Sequence, residues 1–212
     1  PQDQSKYGVE FCRDIVRLMD HLNIQKAHVI GYSMGSFITL KLVTMYPDRL
    51  LSAAPCGAGW ERAGDPNDRR EEIARAIEEN GDFSPLFNAI SPPGKAPGRR
   101  GIFSVNFLLH QTNDMKALAC VMRSIADLVV TEQELRACAV PTLSVVGTVD
   151  PLRTGVDRMK DVMANHETMY VEGTDHISTI RDPKFLDALH AFLKNHSASA
   201  QAAPAQEVKP AA

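Results

Sequence analysis

Residues 27–46 read AHVIGYSMGSFITLKLVTMY, and the order of signals within them decides the fold. AHVIGY is a short apolar run with β-branched residues, which predicts a buried strand, and FITLKLVTMY, closed by Pro47, predicts a helix. Gly31-Tyr32-Ser33-Met34-Gly35 lies between them and leaves no room for a loop. A turn that sharp strains the backbone of its central residue, so its flanks, Gly31 and Gly35, are expected to be small for steric reasons, and it lifts the Ser33 hydroxyl above the carboxyl end of the strand. The helix starting behind Ser33 brings a partial positive charge and free N–H groups toward any anion formed there. GxSxG by itself arises by chance in roughly one chain in twenty of this length. A buried serine in a packing turn would carry the same letters, so the reading depends on what the rest of the chain supplies.

Upstream, Phe11, Ile15, Leu18, Met19 and Leu22 recur at three- and four-residue steps and predict a helix over 9–22 with one apolar face. Downstream, residues 50–55, 142–146 and 168–172 are short continuous apolar runs that read as strands. Residues 155–165 read as a crossover helix and 183–194 as an amphipathic helix after the last strand. Strands alternating with helices indicate an α/β fold with a mostly parallel sheet covered on both faces.

Residues 59–140 interrupt this rhythm. Helix signals at 70–79, 102–110, 115–128 and 131–137, broken by the Pro/Gly-rich SPPGKAPG at 91–98, predict an inserted helical cap. The expected domain plan is therefore core at 1–58, cap at 59–140 and core again at 141–196. Residues 197–212, SASAQAAPAQEVKPAA, hold a single valine and no other large apolar side chain, and are expected to be a disordered tail.

The 212 residues are 44% hydrophobic, enough for a sizeable core, and carry a formal net charge of -3 from 23 basic and 26 acidic residues. Without a basic block, nucleic acid is not an expected partner. No run approaches the length of a membrane span, and PQDQSKYGVE at the start is not the apolar core of a signal sequence. Cys12, Cys56, Cys120 and Cys138 are scattered without paired spacing, which points to a reducing, cytoplasmic compartment.

A serine hydroxyl is a weak nucleophile unless a base lies within hydrogen-bond reach and a third group orients that base. Two residues qualify by position. Asp150 closes LSVVGTVD directly after a predicted strand, and His176 lies in EGTDHIST directly after the next one, so both belong to the sheet edge where Ser33 emerges. The other six histidines lie on predicted helices or near their ends, or, for His28, inside a strand. For the acid, Asp175 beside the histidine and Asp65 and Asp68 after the preceding strand are alternatives, and spacing favours Asp150. Trp60 at the mouth of the cap, and Tyr32 beside the serine, are candidate pocket residues, with plain packing the competing explanation for Trp60. Cys56, after a strand end, is the one thiol with a position worth testing.

GYSMG, GTVDP and GTDH, with VEFCRDIVRLMDHLNI ahead of them, resemble the α/β-hydrolase superfamily over roughly residues 7–196, in the chain order Ser, Asp, His. The resemblance implies a serine nucleophile at Ser33, a proton-shuttling base at His176, an orienting acid at Asp150, and the Met34 N–H as one oxyanion donor. It implies hydrolysis of a carboxylic ester or related acyl bond in a small-molecule substrate through an acyl-serine intermediate, with neither metal nor organic cofactor. A cofactor-free perhydrolase, or a non-catalytic or inactive fragment that binds a ligand, are the alternatives. The resemblance further implies strands ahead of the elbow and a glycine-bearing loop with a second oxyanion donor; neither is found in these residues, so N-terminal strands are expected to be missing and AHVIGY to form an open sheet edge.

Overall fold

The computed structural model describes residues 1–65 and 68–201. In chain order its elements are α1 (Val9–His21), β1 (Ala27–Tyr32), α2 (Met34–Met45), β2 (Leu50–Cys56), α3 (Arg70–Asn80), α4 (Ser84–Ile90), α5 (Arg99–Thr112), α6 (Met115–Ser124), α7 (Glu132–Arg136), β3 (Thr142–Gly147), α8 (Arg153–Lys160), β4 (His166–Val171) and α9 (Pro183–Gln201). The four strands form one parallel sheet in the order β1-β2-β3-β4, so β1 lies at its edge and Ile30 is 45% exposed. Among the described residues no helix is long and apolar enough to cross a membrane.

The sheet buries both faces because side chains alternate along each strand. Ala53 of β2 joins Leu40, Leu42, Val43, Cys12, Met159 and their neighbours on the side of α1, α2 and α8. Ala54 and Cys56 of the same strand join Leu143, Val145 and Val171 against Phe185, Leu189 and Phe192 of α9. On α1 the apolar stripe is rotated from its expected position. Cys12 and Met19 are buried, with Ile15 and Val16 packed beside them, whereas Leu18 and Leu22 are exposed. Contact with α2 selects Cys12, Ile15 and Val16, which share the same helical spacing, over the equally periodic leucines.

α3 to α7 lie between β2 and β3, and their packing divides them. Ile73, Ile77 and Phe83 form a separate cluster with Leu109, Leu118 and Met122, tied further by Arg123, whose guanidinium reaches Glu71 and Glu78 across α3 and α6. Leu128, Val130, Leu135, Cys138 and Val140 instead belong to the main core. The separately packed part is therefore narrower than the expected 59–140. α4 was not expected, and α9 continues to Gln201, well into the stretch read as an unstructured tail. Alanine-rich sequence favours the helical extension, and Ser197 Oγ lies 3.0 Å from His28 Nε2 on the sheet. The rest of that expected tail, 202–212, lies outside the described residues.

Candidate active site

β1 and α2 position Ser33 with no residue to spare. Ser33 has φ of 57°, a conformation costly for a residue with a side chain, and is held there from three directions. Its N–H donates to the Cys56 carbonyl at 3.0 Å, its carbonyl accepts from the Ser36 N–H at 2.9 Å, and the Ser36 hydroxyl is itself anchored on the Ala58 carbonyl at 2.6 Å. At Gly31 a Cβ would come within 2.0 Å of the Gly35 carbonyl oxygen, so the small-flank expectation has a steric cause there. At Gly35 it has none, since a Cβ would meet nothing within 4 Å among the described residues. The tight contact is made by the backbone of Gly35 pressing on Gly31.

The parallel strands bring their carboxyl ends to one edge, and the loops after β1, β3 and β4 meet there. Ser33 Oγ lies 2.9 Å from His176 Nε2, and His176 Nδ1 lies 2.9 Å from Asp150 Oδ2. The other carboxylate oxygen of Asp150 accepts the Leu152 N–H at 2.9 Å, which fixes the carboxyl plane. Asp150 and His176 are buried, with side-chain exposures of 0% and 3%. Asp175, the neighbour of the histidine, is used elsewhere: its carboxylate accepts the N–H groups of Ile177 and Ser178 and the Ser178 hydroxyl. Asp68 is engaged by Arg70, whose hydrogen bonds hold that carboxyl below its ordinary range, and Asp65 faces Arg158.

Ser33 and Met34 open onto a cavity of about 540 Å³, within the usual size of small-molecule sites. Ile73, Ile77, Phe83, Leu86, Leu118 and Met122 make it apolar on the side of α3, α4 and α6. Glu61, Asp68, Arg70 and Arg158 make a charged wall where the loop after β2 faces α8. Burial pushes the Glu61 carboxyl up, while Arg70, 3.7 Å away, acts in the opposite direction. Sequence reading missed this wall because ERAGDPNDRR at 61–70 has no periodicity. The one signal available was a run of paired charges directly after a strand at the edge where the site forms.

Two expected pocket residues lie elsewhere. Trp60 is 3% exposed, donates its indole N–H to the Val130 carbonyl at 2.9 Å and packs in the main core, so it does not line the large cavity. Its indole fills the junction between the sheet and the end of the insertion. Tyr32 does not line the cavity either; its ring packs against His176 and Phe185. Cys56 is fully buried and burial pushes its thiol up to about 12, so its contribution is the carbonyl that anchors Ser33. Met34 occupies the first position of α2, where a helix leaves N–H groups without intrahelical acceptors.

A family model described as alpha/beta hydrolase fold matches residues 1–78. A hydrolase from Pseudomonas aeruginosa superposes with a TM-score of 0.70 over 88% of this chain and 72% of its own, at 19% identity. The chain has the α/β-hydrolase fold. Among curated proteins, this α/β-hydrolase-fold chain is 28% identical over 194 residues to 3-oxoadipate enol-lactonase 1 of Acinetobacter baylyi, covering 86% of this chain and 69% of that protein. It is 34% identical over 104 residues to homoserine O-acetyltransferase of Thermus thermophilus, covering 43% of this chain and only 27% of that protein. Hydrolases and acyl transferases are thus the activities named among the relatives of this α/β-hydrolase-fold chain.

Proposed function

We propose that the chain carries a serine-dependent acyl-hydrolase site, with Ser33 as nucleophile, His176 as base and acid, and Asp150 as the group that orients His176. The observation that carries this reading is the pair of 2.9 Å contacts joining Ser33 Oγ to His176 Nε2 and His176 Nδ1 to Asp150 Oδ2, with Ser33 facing the cavity. A buried carboxylate at Nδ1 keeps the imidazole proton on that side and leaves Nε2 free to accept. Ser33 Oγ then attacks the carbonyl carbon of an ester while its proton passes to Nε2. The carbonyl oxygen becomes an anion, for which the Met34 N–H and the α2 amino terminus supply stabilisation. Collapse breaks the bond to the leaving alcohol, which takes the proton from Nε2 and leaves acyl-Ser33. Water repeats the sequence, releasing the acid and restoring the serine. The apolar side of the cavity suits the acyl part of a small-molecule substrate, and no step calls for a metal or organic cofactor.

A fluorophosphonate probe tests this, because only an activated serine forms the covalent phosphonyl adduct. The wild-type chain is expected to label, Ser33→Ala and His176→Ala to lose labelling, and Asp150→Asn to slow it by about 10⁴. Asp65→Asn and Asp68→Asn are expected to label at the wild-type rate. Labelling that survives Ser33→Ala, or that depends on Asp68 instead of Asp150, contradicts the assignment.

A further inference from the structure

The geometry points to Tyr32 as a positioning residue for His176: its phenol pins the backbone of the base-bearing loop to the strand that carries the nucleophile. This inference rests on the roles given above to Ser33 and His176. The Tyr32 hydroxyl donates to the His176 carbonyl at 2.6 Å, across 144 positions of sequence. Its ring centroid lies 5.3 Å from that of the imidazole, and Phe185 meets the ring edge-on at 5.6 Å. The space for the ring is kept open by Gly57, which has φ of 68° and where a Cβ would come within 2.6 Å of the phenol carbon. Burial pushes the Tyr32 phenol far above its ordinary value, so it remains an O–H donor throughout the range in which the fold operates.

The loop carrying His176 needs such a pin. Its internal bonds, from the Ile177 and Ser178 N–H groups to the Asp175 carboxylate and from the Thr179 hydroxyl to the Asp175 carbonyl at 2.6 Å, give it a shape but do not fix it to the sheet edge. Bonds to its neighbours do. On the acid side, the Val149 N–H donates to the Thr174 carbonyl at 3.2 Å and the Gly173 N–H to the Thr148 hydroxyl at 2.8 Å, tying the loop to the turn that carries Asp150. On the nucleophile side the tie is Tyr32, which immediately precedes Ser33. One strand end therefore sets both the Ser33 Oγ and the height of the imidazole, and a loop displacement of about 1 Å is enough to cost on the order of 10²-fold in rate. Tyr32 is outside the cavity lining, so its effect falls on proton transfer and leaves substrate binding alone.

The test is Tyr32→Phe, which keeps the ring packing and removes only the hydroxyl. Labelling rate and kcat per folded site, the latter with a p-nitrophenyl ester, are expected to fall about 10- to 100-fold, with KM within about twofold of wild type. A variant with a lowered Tm but wild-type rates per folded site would make Tyr32 a packing residue and overturn the inference. If Tyr32→Phe fails to fold, Phe185→Leu loosens the packing of the ring while keeping the hydroxyl. A several-fold slower labelling rate at unchanged KM is then expected, and an unchanged rate overturns the inference. A wild-type chain that does not label at all instead overturns the acyl-hydrolase reading on which this inference rests.

Discussion

Ser33 and His166 show how much depends on where a single polar side chain is held. Ser33 spends conformational energy to stand at the cavity with its hydroxyl on His176. His166 is held the other way, inside the fold on β4, with Nε2 3.0 Å from the Ser144 hydroxyl and Nδ1 without a partner among the described residues. Burial, and secondarily Lys160, push its imidazole from the ordinary 6.5 down to about 4. The folded state thus holds His166 neutral, and the unfolded chain binds the extra proton. Stability from this group is complete above about pH 6.5 and is lost as pH falls toward 4, by on the order of 2 kcal/mol at pH 4.5. His166→Gln does not titrate there, so the fall in Tm between pH 7 and 4.5 is expected to be smaller in the variant than in wild type. An equal fall would show that His166 takes no part. At this scale the sequence separated His176 from six competitors because only His176 directly follows a strand. The side-chain directions of Tyr32 and Trp60 were not legible, because both are set by what packs on them: Phe185 and His176 for the one, Val130 and the main core for the other.

At the scale of elements, the strand, turn and helix around Ser33 form one rigid piece. Gly31→Ala places a Cβ 2.0 Å from the Gly35 carbonyl oxygen and 2.5 Å from the Thr39 hydroxyl, and neither backbone nor helix can yield without moving the serine. The variant is expected to lose at least about 2–3 kcal/mol of stability in denaturant unfolding, with wild-type stability the contrary result. This part of the fold was readable because strand period, glycine spacing and the Pro47 stop agree. α4 was not, since SPLFNAI gives fewer than two helical repeats between prolines and its fold depends on Phe83 and Leu86 reaching α3. The face of α1 was misread for a related reason: two apolar stripes satisfy the same periodicity, and only contact with α2 distinguishes them.

For the whole molecule, a parallel sheet collects residues distant in sequence at one edge, and the inserted helices place an apolar chamber above them. The sheet-edge meeting of Ser33, Asp150 and His176 was expected from their places after predicted strands, with spacing favouring Asp150 over Asp175, Asp65 and Asp68. The chamber's charged wall did not, because it forms only when the loop after β2 faces α8. The central claim is that this edge transfers an acyl group through Ser33, and the most direct measurement is to stop a p-nitrophenyl ester reaction during its first turnover and map the protein by mass spectrometry. The expected result is a p-nitrophenol burst of about one equivalent, with the acyl mass carried by Ser33 in the tryptic peptide AHVIGYSMGSFITLK. Turnover without a burst or adduct, or an adduct on another residue such as Cys120, would contradict the account.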